Sequence, residues 1–334
     1  MPAYLLILFL AFFLTGCAPE PNSQAAADGS ANHPLNVVAT VGMVADIVEN
    51  VGGPHVEVTQ LLGAGVDPHL YKPTRDDVQA MMSSDAIFYA GLMLEGKMAD
   101  SLVKVARNKP VFAVTELIEE TSLLEPEDAP GHYDPHVWMD ASAWALAVDA
   151  VREALADLLP EYADEFELSA TAYRDALLSL HEYGKTSIAT IPEKHRILIT
   201  SHDAFNYFGR AYGIEVYGVQ GISTESEAGL QRINMLVDLL VERKVPSVFV
   251  ESSVPRKSVE ALLRGAEARG HTVKIGGELF SDAMGPAGTY AGTYIGMIDH
   301  NITVVTRSLG GDAPPAGFNG SLSSDGAAGS SAEN

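Results

Sequence analysis

One uninterrupted helical signal in mid-chain most constrains the fold. From Glu161 to Ile191, Phe166, Ala170, Tyr173, Leu177 and Leu180 recur at spacings of 4, 3, 4 and 3, which is one face of an α-helix. Pro160 stands at its start and Pro192 ends it. At 1.5 Å per residue, roughly 30 residues reach about 45 Å, long enough to run along two lobes. No strand signal interrupts it, whereas strand signals alternate with helical ones on both sides. Before it come Asn36–Val41, Val56–Leu61, Ala86–Ala90 and Val111–Val114, with helical patterns such as Val44–Val51 and Arg75–Ser83 between them. After it come strand-like Arg196–Thr200, Glu215–Val219, Ser247–Val250 and Thr272–Ile275, with helical Leu230–Arg243 and Lys257–Arg269. Such alternation predicts parallel sheets covered by helices. The expectation is an α/β chain of two lobes, each a small parallel sheet with flanking helices, joined by one long rigid helix. The expected bounds are 35–160, 161–191 and 192–311.

The ends of the chain differ from this body. Leu5–Leu14 is an apolar run too short to span a bilayer but of the length of a signal-peptide core. It leads into Leu14-Thr15-Gly16-Cys17, and Cys17 is the only cysteine of the 334 residues. This pattern resembles a bacterial lipobox: residues 1–16 are expected as signal peptide, Cys17 as the lipidated residue and 17–34 as a tether. The n-region Met1–Tyr4 departs from the usual pattern in having no Lys or Arg. Residues 312–334, with 14 Gly, Ser or Ala among 23, are expected to be disordered.

With 21 basic against 44 acidic residues the net charge is −23, which disfavours nucleic-acid binding. A single cysteine excludes Cys-rich metal sites, so any metal must be held by His and carboxylates. The tripeptide Asp-Pro-His occurs twice, at Asp67–His69 and Asp134–His136. Proline fixes its own φ and keeps the preceding residue out of the helical region, so each histidine stands on stiff backbone, as a metal ligand should. Asp67 and Asp134 themselves are less expected as ligands than the histidines, and Asp140 reads as a helix N-cap. His202 follows a strand in Ile199–Phe205, where ligands collect in open α/β sheets. A carboxylate after the last strand, Asp282 or Glu278, would close the site.

The lipobox, VDPHLY (Val66–Tyr71), DPHVWMD (Asp134–Asp140), TSHDAFNYFGRAYG (Thr200–Gly213), FVESSVP (Phe249–Pro255) and GGELFSDAMG (Gly276–Gly285) together resemble the cluster A-I metal-binding lipoproteins, closest to their TroA-like branch. These are the solute-binding subunits of zinc and manganese ABC importers. The resemblance implies one Zn2+ or Mn2+ between the lobes, held by His69, His136, His202 and Asp282, with Glu251 orienting a histidine from behind. It further implies a permease and its ATPase as partners, a lipid anchor on the extracytoplasmic face, and a monomer. Zinc-specific relatives often carry a long His-rich loop before the second histidine. Here Glu116–Gly131 is short and acidic, with His132 beside it, which argues against exclusive zinc specificity. A zinc-dependent hydrolase is the rival from another class, and an adhesin role a possible addition. However, four protein ligands leave no open position for a catalytic water, and no H-E-x-x-H is present.

Overall fold

The computed structural model describes residues 33–126 and 130–322. The signal-peptide and lipidation expectations, Cys17 included, lie outside these residues. So do most of the tether and residues 323–334. No helix among the described residues is long and apolar enough to cross a membrane.

The first lobe holds β1 (Leu35–Ala39), α1 (Gly42–Gly52), β2 (Val56–Gln60), α2 (Arg75–Ser83), β3 (Ala86–Tyr89), α3 (Ala99–Val105), β4 (Val111–Ala113) and α4 (Ala141–Leu158). Its strands form one parallel sheet in the order β2-β1-β3-β4. Val37, Val38 and Ala39 are all buried, the unbroken apolar run of a strand covered on both faces. Asp140 caps α4, accepting from Ser142 N–H at 2.9 Å and Ala143 N–H at 3.3 Å.

A short 3₁₀ turn, Pro160–Tyr162, leads into α5 (Ala163–Ile188). The expected apolar face is the buried one: Phe166, Ala170, Tyr173, Leu177 and Leu180, continued by Gly184 and Ile188. α5 packs on α1 and α4 of the first lobe and on helices of the second. At Gly184 a Cβ would come within 2.6 Å of Tyr212 and 2.9 Å of Ile302, so only glycine lets the helices meet this closely.

The second lobe holds β5 (Ile197–Thr200), α6 (Asn206–Tyr212), β6 (Glu215–Gly218), α7 (Leu230–Arg243), β7 (Ser247–Glu251), α8 (Lys257–Ala268), β8 (Lys274–Leu279) and α9 (Tyr294–Ser308). Its strands pair as two parallel ladders, β5 with β6 and β7 with β8, rather than as one continuous sheet.

Two expectations need correction. The last strand does not end at Ile275 but runs through Gly276-Gly277 to Leu279. A Cβ on Gly276 would sit 2.7 Å from Phe249, and one on Gly277 2.5 Å from Val304 of α9, so the glycines mark close packing within a strand. The supposed disordered tail is also ordered over 312–322. Ala313 is buried, Asp312 N–H donates to Thr190 at 2.7 Å, and Phe318 N–H donates to Asp299 Oδ1 at 2.8 Å. The Phe318 ring lies against Tyr183 of α5, with ring centroids 5.4 Å apart.

Candidate metal centre

Three of the four candidate ligands stand on turns that follow strands, and the fourth stands at the entry to a helix. In each Asp-Pro-His the histidine N–H folds back on the aspartate two residues earlier: His69 donates to Asp67 Oδ1 at 2.9 Å and His136 to Asp134 Oδ1 at 3.0 Å. This is the local turn that Asp favours, stiffened by proline. His69 follows β2, and His136 precedes α4. His202 follows β5, and Asp282 stands three residues beyond β8. The indole N–H of Trp138 donates to Ser281 O at 2.9 Å, tying the backbone beside Asp282 to the first lobe.

Carboxylates stand behind two of the histidines. His136 Nδ1 donates to Asp134 Oδ1 at 2.7 Å, and His202 Nδ1 donates to Glu251 Oε2 at 2.5 Å. Each bond keeps a proton on Nδ1 and leaves Nε2 as the atom that takes either a second proton or a cation. The Nε2 atoms face the carboxylate of Asp282. His136 Nε2 is 3.3 Å from Oδ1, while His202 Nε2 and His69 Nε2 are 3.2 Å and 3.8 Å from Oδ2. His69 and His136 bring their Nε2 atoms to 3.2 Å of each other. All four donor atoms lie within 4.8 Å of one another, on side chains no more than 5% exposed.

Acceptors crowded together in a dry place repel one another unless something positive lies between them. His202 Nε2 and both Asp282 oxygens make no hydrogen bond among the described residues. Ligand bonds of 2.0–2.1 Å around a tetrahedral ion put donors about 3.3 Å apart, close to the shorter spacings here. The donor set therefore fits one divalent cation.

The electrostatics point the same way. Burial pushes His69 down to about 4. Burial also opposes a charge on His136, but Asp134 and Asp282 outweigh it and lift the ring to about 9. His202 is raised well above its ordinary value by Asp282 and Glu251, again against burial. Asp282, despite its burial, is held well below the usual carboxylate range by His202 and His136. The site thus carries a concentrated negative field that protons and cations compete to neutralise.

The structure brings His69, His136, His202 and Asp282 together and places Glu251 behind His202. Glu278 stands apart, in β8, where it pairs with Arg256 at 3.1 Å on the surface. Sequence reasoning set Asp134 aside as a ligand and did not see its role behind His136, whose sign was the Asp two residues before a histidine. It also passed over Thr224, whose hydroxyl donates to Asp67 Oδ2 at 2.5 Å from the other lobe, for which the sequence held no sign. A cavity of about 830 Å³ opens beside the cluster, with Asp134, Asp203, Asn206, Arg210 and Arg232 among its lining residues; it does not reach the four donors.

The family model for the zinc-uptake complex component A, periplasmic (ZnuA), matches residues 37–308. The manganese-binding lipoprotein MntA of Bacillus subtilis is 47% identical over 303 residues, covering 91% of this chain and 97% of that protein. The zinc-binding protein TroA of Treponema pallidum is 47% identical over 288 residues, covering 86% and 92%. The solved structure of the periplasmic zinc-binding TroA superposes with a TM-score of 0.80 at 46% identity, covering 83% of this chain and 99% of that one.

Proposed function

The chain belongs to the ZnuA family, and from that premise we propose that it is the solute-binding lipoprotein of an ABC importer, which captures one divalent transition-metal ion between its lobes and hands it to a permease driven by an ATPase. It is a binding protein and not an enzyme. The observation that carries the reading is the buried convergence of three histidine Nε2 atoms on the Asp282 carboxylate. Three protein nitrogens and a carboxylate complete a tetrahedral ion and leave no position for a hydrolytic water. Nitrogen donors suit zinc, and the acidic background also accommodates manganese, in keeping with relatives named for each metal. The protein acts as a monomer, anchored through lipidated Cys17 on the extracytoplasmic face.

Metal analysis of protein purified without added metal, followed by chelator competition, tests the reading. One ion per chain is expected, and His69→Ala combined with His202→Ala should abolish it. Asp282→Ala should weaken binding by roughly a hundredfold or more, and Glu278→Ala should leave it unchanged. Full stoichiometry in the double variant would sink the proposal. Cys17→Ala should release the protein from the membrane fraction.

A further inference from the structure

The donors are not held equally. His136 and His202 are fully buried, and each ring is fixed from behind by a carboxylate. His69 is 5% exposed, and among the described residues its ring has no such bond. Its position depends on its backbone N–H, bound to Asp67 Oδ1.

The contacts between the lobes are unequal in the same sense. On the His136 side they include three bonds from buried side chains to backbone oxygens. Trp138 donates to Ser281 O, Tyr294 OH donates to Trp138 O at 2.7 Å, and Tyr207 OH donates to Asp134 O at 2.9 Å. On the His69 side, among the described residues, the crossing hydrogen bond and ion pair come from the second-lobe loop 219–229. Thr224 Oγ1 donates to Asp67 Oδ2, and Lys97 Nζ meets Glu225 Oε1 at 2.7 Å. Lys97 projects from firm ground. The preceding turn holds Leu92 and Met93 at φ +50° and +67°, a conformation such residues rarely adopt. Buried Glu95 pins this turn, accepting from Thr40 Oγ1 at 2.6 Å and Ala90 N–H at 2.7 Å.

We propose that Thr224 is a positioning residue, the second lobe's latch on Asp67, which holds His69 in the donor set and sets the rate at which metal leaves. The ion escapes on the His69 side when loop 219–229 lifts. Asp67 then loses one of its two partners, and the turn that aims His69 loosens. The inference rests on the metal-binding reading and adds to it the identity of the yielding ligand and the group that restrains it.

The test mixes zinc-loaded protein with excess chromophoric chelator and follows release by stopped flow, after stoichiometry and metal-free melting temperature have been measured. Thr224→Val keeps the side-chain shape and removes the hydroxyl, so release should be about tenfold faster, the effect of losing one hydrogen bond to a carboxylate. Thr224→Ser should restore release to within about threefold of wild type. Wild-type release from Thr224→Val overturns the latch, as does release from Thr224→Ser as fast as from Thr224→Val. If Thr224→Val fails to fold, Lys97→Met on an exposed side chain takes its place: release two- to threefold faster is expected, as for a surface ion pair, and an unchanged rate overturns the proposal. A wild type that binds no zinc refutes the metal-binding reading itself, a result the stoichiometry separates from failure of the latch.

Discussion

Glu251 grips His202 with both of its oxygens, Oε1 on the backbone N–H at 2.9 Å and Oε2 on the ring Nδ1 at 2.5 Å. Both partners are buried, and they come from the ends of β5 and β7, strands that lie side by side in the second lobe. One carboxylate therefore sets the path of the backbone, the plane of the ring and the tautomer.

Glu251→Gln keeps the size of the group but presents the ring with an amide. Metal affinity, measured by chelator competition, should fall 10- to 100-fold, the usual cost of losing the group behind a ligating histidine. An affinity equal to wild type would mean that the backbone alone aims His202.

Zinc should bind at least roughly tenfold more tightly than manganese, since three imidazoles favour the softer ion and zinc stands higher in the general affinity order. His202→Glu should narrow the gap by weakening zinc more than manganese. Competition titrations of both proteins decide this. Equal affinities in the wild type, or a wider gap in the variant, would place the preference in cavity shape and not in donor identity.

Asp46 joins three parts of the fold. Its carboxylate accepts from Tyr173 OH on α5 and from Tyr294 N–H at the start of α9. Burial raises it from the ordinary 3.8 to about 6, against the pull of these bonds. A raised value means that the protonated form is the one folding favours. The group's contribution is complete below 3.8 and is lost as the pH climbs through about 6. Urea unfolding of metal-free protein at pH 5 and pH 7.5 should therefore show wild type losing about 1–2 kcal/mol relative to Asp46→Asn. A difference independent of pH would show that Asp46 titrates normally.

Solution scattering should change little when metal binds. The two lobes share buried hydrogen bonds on the His136 side, and α5 packs on both. Movement confined to loop 219–229 lies within that expectation. A large compaction, as in binding proteins that close about a flexible hinge, would contradict it.

The sequence made the scaffold readable where side-chain periodicity reports burial. The face from Phe166 to Leu180 and the strands around Val37 and Phe249 are of this kind. It misled where glycine serves packing. Gly276 and Gly277 look like the end of a strand, yet they continue β8 because α9 and Phe249 leave no room for a Cβ. That shift moves Glu278 into the strand and leaves Asp282 on the turn that reaches the donors. In the tail, abundant small residues hid Phe318, whose aromatic contact with Tyr183 helps hold 312–322 down. Thr224 was beyond reach, because nothing local marks a threonine whose partner is 157 residues away.

Each lobe supplies half of the donor set: His69 and His136 from one, His202 and Asp282 from the other. Taken alone, either half is a two-point chelator of ordinary strength. The fold holds the second pair beside the first at a high effective concentration, and an ion held by all four would draw much of its affinity from that arrangement. On that assignment, binding strength would be a property of the seam between the lobes as much as of the ligands. A change at Trp138 or Ser281 that moved the halves apart by a fraction of an ångström would weaken the grip on the ion while every donor remained in place.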